Sequence, residues 1–168
     1  MLKSTGVPTA ADLAQVYPSA ERLAQGPVAI IECFQRIPCN PCATACRRGA
    51  ILPFADINDR PQLNVERCNG CALCVANCPG LAIFVLDMTY SEHEALLKLP
   101  YEFLPLPEPG DMVTALNRAG AVVGEGRVIQ VQNPPAFERT AIIHLAVAKE
   151  LAHEVRNIVV EGEKDAAR

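Results

Sequence analysis

The sequence predicts an α+β protein in which a duplicated, cysteine-bearing unit of strand, loop, short helix and strand is followed by a small, mainly β domain. Three observations predict it. All eight cysteines fall between Cys33 and Cys78, with none in the 90 residues that follow. A shift of 32 residues lays Cys39 on Cys71, Cys42 on Cys74, Cys46 on Cys78, and Ala50-Ile51 on Ala82-Ile83. After Asp111 the chain breaks into short β-branched or alternating runs separated by Gly and Pro, the pattern of a small antiparallel sheet or barrel.

The elements follow in order. Residues 1–27 form an N-terminal helical arm. Leu13, Val16 and Leu23 are spaced as an apolar face, but Pro18 interrupts it, so one or two short helices precede Gly26-Pro27. Residues 28–88 are the cysteine domain, bounded by strand signals at Val28 to Ile31 and Leu81 to Leu86. Residues 89–110 are a connector, because Pro100, Pro105, Pro107 and Pro109 oppose regular helix or central strand between Leu99 and Gly110. Residues 111–168 are the small mainly β domain, with strands at 111–116, 121–123, 127–131 and 140–147, a helix over 149–157, a last strand at 158–160 and a charged tail.

Composition limits the function. Half of the 168 residues are apolar and a fifth charged, which is globular composition. No stretch approaches the ~20 apolar residues of a spanning helix, and Met1 to Leu13 has neither the charged nor the apolar region of a secretory signal. A soluble, cytoplasmic protein without membrane insertion is expected. The formal charge of −4 arises after residue 88. Residues 28–88 balance five acids against Arg36, Arg47, Arg48, Arg60 and Arg67. With no basic run, nucleic acid is not an expected partner.

In a reducing compartment, clustered cysteines speak for metal or redox chemistry rather than disulfides. Cys68, Cys71, Cys74 and Cys78-Pro79 have the spacing of the bacterial iron–sulfur run, in which the fourth cysteine serves the other cluster. Three close cysteines curl around one face of a cubane, Gly70 letting the backbone approach. The fourth, past a turn of helix, points away. Crossed ligation results: Cys46, Cys68, Cys71 and Cys74 hold one cluster, and Cys39, Cys42, Cys78 and Cys33 the other. The repeat would place the last of these at Arg36, three residues beyond Cys33. If Cys33 is instead a buried free thiol, that cluster is [3Fe-4S]. Two four-cysteine zinc sites are the structural alternative. His93, His144 and His153 stand outside the segment and read as surface or core residues.

Over residues 28–88 the chain resembles the bacterial-type two-cluster [4Fe-4S] ferredoxins. The resemblance implies a duplicated βαβ ferredoxin-type 2[4Fe-4S] domain that relays single electrons. Arg47 departs from it, since the family usually has Pro after the fourth cysteine. More loosely, Glu32 to Cys42 and Cys78 to Phe84 look like the small iron–sulfur subunits of FAD-dependent amino-acid, opine or hydroxyproline dehydrogenases. That likeness implies a flavoprotein partner in a hetero-oligomer. No Gly-x-Gly-x-x-Gly stretch is present, so the FAD belongs to the partner.

Eight cysteines on eight irons leave no open ligand position for a substrate, so an electron-transfer subunit is expected rather than a catalyst. A free-standing shuttle and an iron–sulfur redox sensor are the alternatives. The arm and the β domain read as docking surfaces, with Arg36, Arg47 and Arg48 placed to meet carboxylates on a docked protein.

Overall fold

The computed structural model describes residues 2–160. Three one-turn helices, α1 (Leu2–Thr5), α2 (Ala10–Leu13) and α3 (Ala20–Leu23), make up the N-terminal arm. Thr9 and Asp12 form a reciprocal capping box at the start of α2. Seven strands follow: β1 (Val28–Ile31), β2 (Ile83–Asp87), β3 (Glu94–Tyr101), β4 (Met112–Leu116), β5 (Val122–Gln132), β6 (Ala141–Ala148) and β7 (Asn157–Val159). They form one sheet in the order β1-β2-β3-β6-β5-β4-β7, every pair antiparallel. Helices α4 (Pro41–Ala45) and α5 (Leu73–Ala76) carry the cysteine loops, and no helix among the described residues is long and apolar enough to cross a membrane. The charged tail lies outside the described residues.

Side-chain alternation explains why the first strands read as unbroken apolar runs. Val28 and Ile30 of β1, with Phe84 and Leu86 of β2, enter a core to which all seven strands contribute. Ala29, Ile31, Ile83 and Val85 face the opposite way, into a second core with Cys42, Cys74, Val75 and Ile51. The cysteine helices therefore lie on one face of the sheet, α5 resting on β2, β3 and β6.

One sheet runs through residues assigned above to the cysteine domain, the connector and the β domain. β3 is the third strand of the seven, pairing with β2 through Leu96 to Lys98 and with β6 along its whole length. Leu99 to Tyr101, assigned above to the connector, belong to β3 but pair there with β6 alone. Pro100 faces Ile142 of β6 beyond the last β2 pairing, so a neighbour stands on only one side and the missing N–H costs little.

Two further elements differ from expectation. The runs at 121–123 and 127–131 are one strand, β5, because Gly124 and Gly126 do not interrupt it. The side chains of Leu151 and Leu145 occupy the space where a Cβ would stand, at 2.7 and 2.8 Å. In place of a helix over 149–157 there is a three-residue 3-10 turn, Lys149–Leu151, with Lys149 N on His93 O and Arg156 N on Leu116 O tying down its surroundings.

The 32-residue repeat reappears in the backbone. Ile31 pairs with Ile83, and their repeat positions Leu63 and Ile51 form an isolated bridge. Glu32 N donates to Ala82 O at 2.8 Å, and Asn64 N to Ala50 O at 2.7 Å. Past each final cysteine the same turn recurs, with Gly49 N on Cys46 O and Leu81 N on Cys78 O.

Candidate metal centre

Helix α4 presents Cys42 and ends at Cys46; helix α5 presents Cys74 and leads to Cys78. Ala72, in a left-handed conformation at φ 68°, turns the loop of Cys71 into α5. All eight cysteines are free; Cys42 and Cys74 are buried, Cys71 is exposed, and the other five are half-buried.

Seven of the eight cysteines line two hollows. One hollow is lined by Cys46, Cys68, Cys71 and Cys74, with Ala29, Ile51 and Leu63. Cys46 thus joins three cysteines more than 20 positions along the chain and not its neighbour Cys42. Cys33, Cys39 and Cys78 line another hollow with Phe34, Ile37 and Pro79. Cys42 is buried in the core against which Cys33 and Cys78 pack. Burial pushes its thiol up to about 11, and the charges of Cys78, Cys39 and Cys33 add to the effect. Cys33 is raised likewise, by burial and then by Cys78 and Cys39. Cys74 is pushed up to about 12 by burial, followed by Cys68, Cys71, Cys46 and Cys42. Helices α4 and α5, which carry Cys42 and Cys74, pack against each other, so the two hollows stand close.

Backbone amides point at the sulfurs. Ala50 N donates to Cys46 Sγ at 3.2 Å, and its repeat position Ala82 N donates to Cys78 Sγ at 3.4 Å. Ile51 N approaches Cys46 Sγ at 3.5 Å, and Ala29 N reaches Cys68 Sγ at 3.3 Å. Such donors offset the charge of a thiolate. Four thiolates around one hollow repel one another unless a cationic centre joins them, and buried soft sulfur donors of this kind suit iron–sulfur clusters. The residues fit that group. Among the described residues, no three His, Cys, Asp or Glu side chains close around a single point as ligands of one metal ion.

Gly70, at φ 65°, lines the hollow of Cys68, Cys71 and Cys74, but its smallness is demanded from the other side. A Cβ there would meet Pro27 Cβ at 2.6 Å and Val85 Cγ1 at 3.0 Å. Lys98 of β3 donates from Nζ to Gly70 O at 2.7 Å and fastens the loop from above.

Residues 61–84 match the family described as 4Fe-4S binding domain. This segment is similar to 4Fe-4S binding domains. A stretch of 52 residues is 40% identical to the "Ferredoxin-type protein NapF" of Escherichia coli strain K12, covering 30% of this chain and 32% of that protein. The same protein from the O6:H1 and O157:H7 strains matches equally. The match thus spans about a third of the curated relatives (32%). No solved structure matches.

The arginines and histidines named from the sequence take these places. Arg36 is exposed and pairs within the chain, Nη2 to Asp59 Oδ1 at 3.0 Å. Arg47 is exposed, and Arg48 lines the hollow of Cys46 while Nε reaches Arg67 O at 3.5 Å. His93 is exposed, whereas His144 is buried and its ring Nε2 lies 3.0 Å from Gln132 Oε1.

The groups that the sequence did not single out are Arg22, Tyr17, Arg118 and Arg156. Glu32, immediately before Cys33, is bound by Arg118 through Nε at 2.9 Å and Nη2 at 2.6 Å. Arg156 adds Nε at 3.1 Å and Nη2 at 3.0 Å. Tyr17 Oη accepts from both arginines, and the Arg156 guanidinium lies 3.8 Å over the Phe84 ring. Burial would raise the Glu32 carboxyl, but the Arg118 hydrogen bond and both positive charges outweigh it and hold it below its ordinary value. A sequence shows a lone arginine and a lone glutamate 86 or 124 positions apart, with no periodicity to connect them.

Proposed function

We propose that this protein is an electron-transfer subunit holding two [4Fe-4S] clusters with crossed ligation: Cys46, Cys68, Cys71 and Cys74 for one, Cys33, Cys39, Cys42 and Cys78 for the other. The observation that carries the reading is the grouping of Cys46 with Cys68, Cys71 and Cys74 around one hollow. Bound, such clusters supply one-electron redox chemistry. The chain's own part is to hold the sulfurs, direct the amides of Ala29, Ala50 and Ala82 at them, and exclude water with Val75, Ile51 and Val85. The exposure of Cys71 on one set, and of Ile37 beside Cys39 on the other, supports one contact point per cluster for incoming and outgoing electrons.

The donor on this reading is a flavin-dependent amine or amino-acid dehydrogenase, whose two-electron oxidation would be drained singly through this chain. The likeness of Glu32 to Cys42 and of Cys78 to Phe84 to the small subunits of such complexes supports it, and the balanced charge of residues 28–88 suits a lasting assembly rather than a roaming shuttle.

Anaerobic purification followed by metal analysis tests the cluster count, with about eight iron and eight sulfide per chain expected. Two zinc ions and no sulfide would defeat it. Copurification from the native host tests the partner. A flavoprotein that stays bound in moderate salt is expected, whereas a loaded monomer serving several unrelated reductases equally would make the chain a free shuttle. Cluster loss or conversion in air with the fold intact would make it a sensor.

A further inference from the structure

Two buried arginine arrangements, one gripping Cys68 O and the other Glu32 next to Cys33, lie outside the cysteine motif. Arg22 of α3 is 7% exposed and spends its guanidinium on main-chain oxygens. Nε donates to Val65 O at 2.9 Å, Nη1 to Gly26 O at 3.1 Å, and Nη2 to Pro27 O at 3.2 Å and Cys68 O at 2.8 Å. Among the described residues no carboxylate forms an ion pair with it. A guanidinium removed from water without a carboxylate is costly unless another negative group answers it. The residue it grips, Cys68, is one of the four cysteines of its set.

The second arrangement is the Glu32 clasp. Its two arginine side chains are 9% and 11% exposed, against 13% for the glutamate. Two guanidinium groups on one carboxylate leave one net positive charge, also removed from water. The residue they hold adjoins Cys33, the first cysteine of the other set. Cys33 stands three residues ahead of its repeat position, at the end of β1, so its placement depends on what secures Glu32. That is the backbone bond to Ala82 O and the clasp.

We propose that Arg22 and the Glu32–Arg118–Arg156 clasp are positioning devices, the former fixing the Cys68 ligand of one cluster and the latter the Cys33 ligand of the other, each supplying its cluster with one buried positive charge. The inference rests on the two-cluster reading above. A cluster on four thiolates becomes more negative on reduction, so a fixed interior cation favours the reduced form and raises its potential. The arm and the far end of the sheet then serve this chain's own redox sites, because they carry the cations there.

The test is a redox titration followed by electron paramagnetic resonance on the loaded full-length protein, with Cys33→Ala identifying which signal belongs to its cluster. A wild type without two clusters overturns both readings. Given two clusters, Arg22→Met is expected to shift only the midpoint of the Cys68 cluster downward, and Arg118→Met only that of the Cys33 cluster. Unshifted midpoints, or equal shifts of both clusters in each variant, overturn the proposal while leaving the cluster count standing. If Arg22→Met cannot be loaded, Arg22→Lys decides. It keeps the charge but not the fork, so it is expected to keep the midpoint while losing iron to a chelator faster than wild type. A lysine variant that resists the chelator as wild type does overturns the positioning role.

Discussion

Gly49 and Leu81, 32 positions apart, hold the same left-handed backbone conformation, at φ 60° and 50°, each donating its N–H to the carbonyl of the final cysteine of its half. The turn aims the next amide, from Ala50 or Ala82, at that cysteine's sulfur. The conformation suits glycine and costs an L side chain about 1 kcal/mol. Gly49→Ala is therefore expected to lower stability by about 1 kcal/mol, while Leu81→Gly gives back a similar amount, less what the partly exposed leucine contributes. Chemical denaturation of both variants checks this, and equal destabilisation by the two would contradict it.

Gly70 is constrained twice, by its positive φ and by the 2.6 Å approach of a would-be Cβ to Pro27. Pro27 is held between Arg22 and β1 and cannot withdraw freely, its carbonyl accepting from Arg22 Nη2. Gly70→Ala should cost about 2–4 kcal/mol, the sum of backbone strain and overpacking. A melting temperature within a degree of wild type would show that the loop yields.

On the proposed crossed ligation, Cys46 and Cys33 are diagnostic. Cys46→Ala is expected to alter the resonance signal of the cluster on Cys68, Cys71 and Cys74, and Cys33→Ala to leave a three-iron species on Cys39, Cys42 and Cys78. If Cys46→Ala disturbs only the cluster of Cys39 and Cys42, the topology is wrong.

His144 carries a pH dependence away from the cysteines. Burial, helped by the Lys98 ammonium, pushes its pKa down to about 4 from an ordinary 6.5. The unfolded chain takes up the proton first. The stabilisation from a neutral His144 is thus complete above pH 6.5 and is lost as pH falls from there toward 4. Denaturation midpoints of wild type and His144→Gln should converge as pH drops from 7 to 5, the wild type losing more. Parallel curves would show that His144 does not drive the acid response.

The sequence by itself determined the cysteine spacing, the 32-residue repeat, the strands at either end of the cysteine segment and the short helices of the arm. These are local signals: β1 and β2 are apolar on both faces because both faces are buried, and Pro18 divides the arm whatever surrounds it. The long-range pairings were beyond its reach. Glu32 follows the strand at one edge of the sheet, and Arg118 and Arg156 lie at the far end of the strand order, which a flat sheet would keep roughly 30 Å apart. They touch because the sheet curls. Long-range packing likewise places Pro100 opposite Ile142 of β6, fills the space beside two glycines of β5 with leucine side chains, and sets Lys98 on Gly70. None of these depends on a residue's neighbours in the chain, so no local pattern carries them. Tertiary structure alone decided which buried cations stand beside the cysteines.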